Sequence, residues 1–281
     1  MASIAAWQNP DGGWPYHPGG PSWTEPTAYA LLALQAGPAR SDAVAGAVRW
    51  LRMAQRPDGG WPVQQGIEMS AWVTAVVLLA GAEVIGPEPY RRGIAWLVRG
   101  TGGGFGWGYR LRRIVLGSNQ ADTESGWPWT SGTAAWVTPT ALSLLALRKA
   151  HRETPAPELQ NRLQAGRAFL QQHACSDGGW NYGCPRVLNV DACSYPETTG
   201  AALLGLSGSD SPQVRAACLW GREQLSECRS SEGQSWLRLG LLAHGRLLPG
   251  PVPSWPHRTL QNAALGMLAD AAQRGRNVFL D

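Results

Sequence analysis

The sequence predicts an all-α protein built as an α/α toroid, a ring of about five to six helical hairpins. Two recurring features lead to this prediction. A turn with the sequence Gly-Gly-Trp or Ser-Gly-Trp recurs along the 281 residues, and each copy is followed by a short apolar segment that begins near a threonine. Longer amphipathic segments lie upstream of the turns. Because a repeated unit of this length cannot bury its apolar face alone, consecutive units must stack on one another.

The turns share one layout, and their copies begin at Asp11, Asp58, Ser125 and Asp177. In the first three copies the turn tryptophan precedes the threonine by 13 residues, and from Trp180 to Thr199 the spacing is 19. Asp and paired Gly suit a tight turn, while Trp packs between helices and donates its indole N–H. We therefore interpret the turn aspartates as structural residues.

The segments after the turns are apolar on nearly all sides, as is typical of buried helices. They cover Thr27–Leu34, Thr74–Ala80, Thr140–Leu147 and Thr199–Leu206. These four segments are predicted to be inner helices of the ring.

The segments before the turns carry apolar residues at i, i+3, i+4 and i+7, with Arg or Gln elsewhere. They cover Asp42–Gln55, Glu88–Arg99 and Pro157–His173. This pattern is typical of amphipathic helices with one solvated face, so we assign them to the outside. The contrast between inner and outer helices favours a closed ring over an open superhelix.

The C-terminal part lacks the Gly-Gly-Trp turn. Here Gln213–Leu225 is predicted to be an outer helix and Ser235–Arg246 an inner one, whereas Arg258–Gln273 fits either position. With a short N-terminal segment, Ala2–Gln8, these helices complete a single domain over residues 1–281. An inserted loop is expected at about residues 108–127.

Composition narrows the class of protein. The net charge of +4 comes almost entirely from arginine, since Lys149 is the only lysine. The basic residues are few and accompany no nucleic-acid-binding motif, which argues against nucleic acid as a partner. Neither a secretory leader nor an apolar run of about 18 residues is seen, so we expect a cytoplasmic protein with at most peripheral membrane contact.

The turn matches a known repeat. The sequences Q-N-P-D-G-G-W at Gln8–Trp14 and Q-R-P-D-G-G-W at Gln55–Trp61 resemble the QW repeat of squalene and oxidosqualene cyclases. The following T-A-x-x-L-L-A-L segment is similar to their inner-helix consensus. The resemblance extends to protein prenyltransferase β subunits and covers roughly residues 5–245. It implies the α/α toroid fold.

The same resemblance implies a terpenoid cyclase or a related enzyme that holds an isoprenoid or lipid-like molecule in the central cavity. Class II cyclases usually build that cavity between two helical domains, and prenyltransferase β subunits pair with an α subunit. A single toroid therefore implies a partner helical subunit or a homodimer. The non-enzyme alternative is a scaffold that binds a hydrophobic ligand or a protein.

Class II cyclases place a DxDD motif before the inner-helix threonine, and its middle Asp protonates an alkene or epoxide. This chain contains no DxDD. When the copies are aligned on their threonines, the middle position holds Glu25 and Glu197, with Trp72 and Thr138 in the other two. The helix dipole favours an ionised carboxylate in the first turn. Both glutamates are acid candidates, and the alternative is that they only stabilise their helices.

All inner helices are expected to run in one direction, so their N-termini share one mouth of the ring, where both insertions fall. Loops on a rigid scaffold concentrate binding residues. Asp122 and Asp191 in these insertions are further acid candidates, although Asp122 also suits an ion pair with the nearby arginines. The predicted contacts for an anion are Arg110, Arg112 and Arg113.

Aromatic residues cluster just before the inner helices. Such rings suit an isoprenoid chain and stabilise a carbocation by cation–π attraction. The predicted substrate-binding aromatics are Trp23, Trp72, Trp127, Trp129, Trp136 and Tyr195.

A zinc-dependent, prenyltransferase-like site is the other alternative that the resemblance implies. Prenyltransferase β subunits bind Zn²⁺ through an Asp-x-Cys pair and a later His, for which Asp191, Cys193 and His257 are the counterparts. Such ligands leave a fourth position open for a substrate thiolate. Two departures weigh against it: Cys193 precedes its helix by several residues, and the family's Tyr is missing after His257. His244 and Cys184 form a looser set, like that of lanthionine cyclases.

Overall fold

A computed structural model describes residues 4–37, 42–100, 126–247 and 256–281. These residues are mainly α-helical. The helices are α1 (Thr24–Ala36), α2 (Asp42–Ala54), α3 (Val73–Leu78), α4 (Ala82–Ile85), α5 (Pro87–Arg99), α6 (Val137–Glu153), α7 (Pro157–Gln172), α8 (Pro196–Gly205), α9 (Pro212–Glu227), α10 (Ser231–Ala243) and α11 (Leu260–Gln273).

Two small antiparallel hairpins precede inner helices. One pairs β1 (Trp127–Pro128) with β2 (Ala135–Trp136), and the other pairs β3 (Arg186–Val187) with β4 (Val190–Asp191). A 3₁₀ turn, Ile4–Trp7, lies near the start of the chain. The β3–β4 hairpin accounts for most of the extra residues that lengthen the fourth turn-to-threonine spacing.

The inner helices close into a ring. Helix α1 packs against α3, α3 against α6, α6 against α8, α8 against α10, and α10 against α11, which packs back against α1. The predicted closed toroid is therefore confirmed. Helix α11, which the sequence pattern left open, is an inner helix because it contacts α10 on one side and α1 on the other.

The outer helices pack on the outside of the ring, and α5 and α9 each contact two neighbouring inner helices. Helix α2 packs on α1, α5 on α3 and α6, α7 on α6, and α9 on α8 and α10. Each outer helix buries only the face that it turns to the ring, which in α5 consists of Tyr90, Gly93 and Leu97. By contrast, α8 is buried continuously from Thr198 to its end. The inner and outer assignments from periodicity are confirmed, and the short helix α4 is an addition that the pattern missed.

Glycines set the closest approach in the ring, between α8 and α10. A Cβ placed on Gly200 would lie 2.2 Å from the backbone carbonyl carbon of Trp236. A Cβ on Gly240 would lie 2.6 Å from the carbonyl oxygen of Gly200. The two backbones therefore touch with no room for side chains between them.

A single hydrogen bond explains the repeated spacing of 13 residues. In each copy the backbone N–H of the turn tryptophan donates to the hydroxyl of the inner-helix threonine. The donor and acceptor pairs are Trp14 and Thr27 (2.8 Å), Trp61 and Thr74 (2.8 Å), Trp127 and Thr140 (2.8 Å), and Trp180 and Thr199 (2.9 Å). All eight residues are buried. A buried backbone donor requires a partner, so the bond fixes where each turn sits on its helix.

The indole of the same tryptophan reaches back to the preceding outer helix. Its N–H donates to the carbonyl of a leucine, as Trp61 does to Leu51 at 2.7 Å and Trp180 does to Leu170 at 2.6 Å. The turn tryptophan therefore joins an outer helix to the next inner helix. In the first turn the Trp14 indole donates instead to the Ile4 carbonyl at 2.9 Å.

The turn aspartate has a structural role. The Asp58 carboxylate accepts hydrogen bonds from the Gly60 N–H at 3.0 Å and from the Ser70 hydroxyl at 2.7 Å. Gly59 adopts φ +96°, and a Cβ on Gly60 would lie 2.5 Å from that of Ser70. The first turn makes the same contacts through Asp11. The Asp-Gly-Gly sequence therefore stabilises these two turns through the aspartate contacts and the close approach that glycine permits.

We expect Thr74→Val to destabilise the protein by about 1–3 kcal/mol, because it leaves the buried N–H of Trp61 without an acceptor. Thr74→Ser keeps the hydroxyl and is the matched control, with a smaller loss. Urea unfolding followed by circular dichroism measures both. Equal stability of the valine and serine variants would contradict the role given to this bond.

Candidate active site

A cavity of about 500 Å³ lies at the end of the ring where the inner helices begin. Each inner helix supplies a residue from its first turns or from the position just before it. The lining consists of Glu25, Tyr29, Trp72, Trp129, Thr138, Tyr182, Glu197, Ser230, Glu232, Trp236 and Gln261. The N-termini of the inner helices therefore share one mouth.

One helical position provides most of the polar lining. The second residue of α1, α6, α8, α10 and α11 faces the cavity, and in α3 the residue just before the helix does so. The threonine-based alignment had placed Glu25, Trp72, Thr138 and Glu197 at one equivalent position, and the structure places all four on the cavity.

Glu232 and Gln261 were missed in the sequence. Their units lack both the Gly-Gly-Trp turn and its threonine, so they offered no point of alignment. Glu232 lies in the first turn of the observed helix α10, which begins at Ser231 and thus four residues before the predicted start at Ser235.

The Glu25 carboxyl is held at both oxygens. The Tyr16 hydroxyl donates to Oε2, and the Gln261 amide donates to Oε1 at 2.6 Å. Burial raises the pKa of Glu25 to about 7, and the nearby Glu232 carboxylate adds to this, while the two hydrogen bonds act in the opposite direction. The sequence predicts that the helix dipole favours the ionised form of Glu25. This prediction is wrong, because the effect of desolvation on the pKa outweighs that of the dipole.

Two further carboxyl groups face the same cavity. Burial raises the pKa of Glu232, and the charge of Glu197 contributes. The Tyr182 hydroxyl donates to Glu197 Oε1 at 3.2 Å. The site therefore combines a carboxyl that holds a proton near neutral pH with two additional acidic side chains.

Aromatic rings form the rest of the cavity wall. Trp72 and Trp129 meet edge to face with centroids 4.7 Å apart. Tyr29 and Trp236 meet in the same way at 6.3 Å, one helical turn below Glu25 and Glu232. The acidic groups therefore lie near the mouth of the cavity. The Trp72–Trp129 pair forms one side wall, and the Tyr29–Trp236 pair lies deeper in the ring.

The other predicted aromatics lie outside the lining. Trp23 contacts Tyr16 at 5.7 Å, and Tyr195 contacts Tyr182 at 5.3 Å, so each supports a residue that reaches the site. Trp136 lies in the β1–β2 hairpin.

Trp127 is a correction to the predicted substrate-binding set. It is 2% exposed and its indole N–H donates to the Leu97 carbonyl at 2.9 Å. It therefore takes the place that Trp61 and Trp180 take in their turns. Its proximity in sequence to an inner helix gave no means of telling a core tryptophan from a lining one.

The residues predicted to bind zinc do not come together. Among the residues that the structure describes, no group of three or more His, Cys, Asp and Glu side chains is placed to hold a metal ion. Asp191 is an exposed strand residue beside Arg186 at 3.4 Å, and Cys193 is also exposed. His257 packs against Gly266 of α11. The set was assembled from sequence order, which does not determine distance.

The remaining predicted residues of the large insertion lie outside the described residues. They are Arg110, Arg112, Arg113 and Asp122. Asp191, the last acid candidate, accepts a hydrogen bond from the Ser176 hydroxyl at 3.0 Å and lies outside the cavity lining.

Solved structures share this architecture. A variant of the type II terpene cyclase MstE from Scytonema, in complex with geranylgeranyl dihydroxybenzoate, is 18% identical over 98% of this chain and 77% of its own, with a TM-score of 0.57. The family 8 glycosyl hydrolase Cel10, an endoglucanase from Klebsiella pneumoniae, is 14% identical over 96% of both chains, with a TM-score of 0.64. A polysaccharide lyase is 12% identical over 90% of both, with a TM-score of 0.55.

At these identities the likeness establishes the α/α toroid fold and leaves the reaction open. No protein-family profile and no curated protein matches the sequence. In the described ranges, every helix is too short or too polar to cross a bilayer.

The raised pKa of Glu25 predicts a pH-dependent stability. The folded protein binds this proton more tightly than the unfolded chain, so the free energy of unfolding falls as pH rises from about 4.5 to about 7. Glu25→Gln should remove up to about 3 kcal/mol of this fall. Chemical denaturation at a series of pH values measures the slope.

Glu158→Gln is the matched control, since Glu158 lies in the first turn of the outer helix α7 and is exposed. It should retain the wild-type slope between pH 4.5 and 7. If Glu25→Gln and wild type lose stability in parallel, the buried acid assigned to Glu25 is wrong.

Proposed function

We propose that this protein is an acid-initiated, class II-like terpenoid cyclase, or a related isoprenoid-handling enzyme, with Glu25 as the proton donor. One observation carries the proposal. A carboxyl group whose pKa is about 7 faces a cavity whose wall includes four aromatic rings besides Tyr182. A general acid is most effective when its pKa lies near the working pH.

The contacts of Glu25 suit a proton donor that must be held in place. Tyr16 and Gln261 each bond one carboxyl oxygen, which fixes the orientation of the group at the rim. The proton passes to an alkene carbon of the substrate, and the electron pair of the double bond forms the new C–H bond. The adjacent carbon is left positively charged, and Glu25 is left as a carboxylate.

The lining suits the cation that this step creates. The rings of Trp72, Trp129, Tyr29 and Trp236 present π-electron density, and cation–π attraction reaches about 2 kcal/mol per ring when water is excluded. Glu197 and Glu232 supply negative charge and a base for the final deprotonation. The volume of about 500 Å³ lies within the range of small-molecule pockets, about 300–1,000 Å³.

The fold adds general support. MstE, with the same architecture, is a type II terpene cyclase whose substrate is geranylgeranyl dihydroxybenzoate. We infer an isoprenoid chain as the substrate class here as well. A partner helical subunit or a second copy of the chain is part of the proposal, because the resemblance to class II cyclases implies a cavity built between two helical domains.

A second candidate is hydrolysis of a glycan. It is favoured by the carboxyl groups that accompany Glu25 on the cavity, since glycoside hydrolysis uses a protonated carboxylic acid and a carboxylate. Cel10 is an endoglucanase with the same fold. Glu25 is the acid in this case, and Glu197 or Glu232 is the base or nucleophile.

Turnover in D₂O separates the two candidates. The purified protein is incubated with squalene, geranylgeranyl dihydroxybenzoate and β-glucan oligosaccharides, and the products are analysed by mass spectrometry. We expect cyclised isoprenoid carrying one deuterium from the initiating proton. Glu25→Gln should lower the rate at least about 100-fold, because general acids contribute about 10²–10⁴.

Glu158→Gln is the control and should keep the wild-type rate. Cleavage of oligosaccharides without isoprenoid turnover would favour the second candidate. Isoprenoid turnover that survives in Glu25→Gln would show that another group supplies the proton.

A further inference from the structure

The described walls of the cavity carry acidic groups and no basic ones. Glu25, Glu197 and Glu232 arrive from three different inner helices, α1, α8 and α10. The other described lining residues are aromatic, hydroxyl-bearing or amide side chains. Lysine, arginine and histidine are absent from this described lining, so its charge is of one sign.

The acidic groups have only neutral partners in the part of the chain that the structure describes. Glu25 is bonded by Tyr16 and Gln261, and Glu197 by Tyr182. The Glu232 carboxylate makes neither a hydrogen bond nor an ion pair with any described residue, although it lies in a half-buried position. The ionised forms of these carboxyl groups would attract a cation entering the cavity, and it would displace no cationic side chain of the described lining.

The aromatic residues add an independent attraction for the same kind of ligand. Trp72 and Trp129 stand nearly perpendicular, at 89°, so that the pair presents a face and an edge to its surroundings. Tyr29 and Trp236 cross at 78° below the carboxyl groups. Aromatic faces combined with carboxylates are a general means of binding alkylated ammonium groups, because each methyl group can rest on a ring while the charge is neutralised.

We propose that this cavity is a binding site for organic ammonium compounds, namely tertiary or quaternary amines with bulky apolar substituents. The proposal uses the cavity of the function proposed above but not its proton transfer, so either can fail while the other stands. An anionic diphosphate is disfavoured, since its charge would face three acidic side chains.

A bare metal ion fits the site less well than an organic cation. The described side chains contain no group of three or more His, Cys, Asp and Glu placed around one point. The carboxyl groups instead project from separate helices around a space of about 500 Å³. That spacing suits a ligand large enough to contact several walls at once.

Three probes of one shape test the proposal by isothermal titration calorimetry at one pH. Benzyltrimethylammonium carries the positive charge, neopentylbenzene is its uncharged carbon isostere, and benzylphosphonate carries negative charge. We expect the ammonium to bind at least about tenfold more tightly than the isostere and the phosphonate to bind most weakly.

Glu232→Gln tests whether the cavity is responsible. It should weaken binding of the ammonium about fivefold or more and leave the isostere within about twofold, since the amide keeps the shape and removes the charge. Glu158→Gln, on the outer helix α7, should change neither affinity. Glu197→Gln replaces Glu232→Gln if thermal unfolding shows that the latter does not fold.

Three results would overturn the proposal. They are equal affinity for the ammonium and its isostere, an ammonium affinity unchanged in a folded Glu232→Gln or Glu197→Gln variant, and no binding of the ammonium at all. Binding of the ammonium without any isoprenoid turnover would support this proposal and count against the function proposed above.

Discussion

The fold depends on the hydrogen bond from a buried tryptophan N–H to a threonine hydroxyl, which recurs in the four turns that the structure describes, at Trp14, Trp61, Trp127 and Trp180. It is short, fully buried and made within one unit, so the turn and helix form a fixed pair. The indole of the same tryptophan then binds the preceding outer helix. Because the bond fixes where α1, α3, α6 and α8 begin, it also fixes which of their residues reaches the cavity.

This constraint explains what the sequence could predict. The turn spacing and the two kinds of apolar pattern were sufficient for the ring, the inner and outer helices, and the equivalence of Glu25 and Glu197. Helix α11 was ambiguous because its pattern fits both layers, and only its neighbours decide. Trp127 was misassigned because lining and core tryptophans occur next to each other in the same loops.

The character of the acid could not be read from the sequence. A glutamate in the first turn of a helix is ordinarily favoured in its ionised form, and the sequence shows nothing that opposes this. The opposing effect is burial against the neighbouring helices, with Glu232 contributed by a unit more than 200 residues away. Which effect prevails depends on how tightly the ring packs, a property that local sequence does not encode.

Ring closure has a consequence for assembly. The hydrogen bond between Glu25 and Gln261 joins segments 236 residues apart, where the last inner helix meets the first. Contacts between such distant segments require a large loss of chain entropy before they form, so they tend to arise late in folding. An incompletely folded chain therefore lacks both the contact between the last and first inner helices and the buried environment of Glu25. The raised pKa of Glu25 is therefore expected only once the ring has closed.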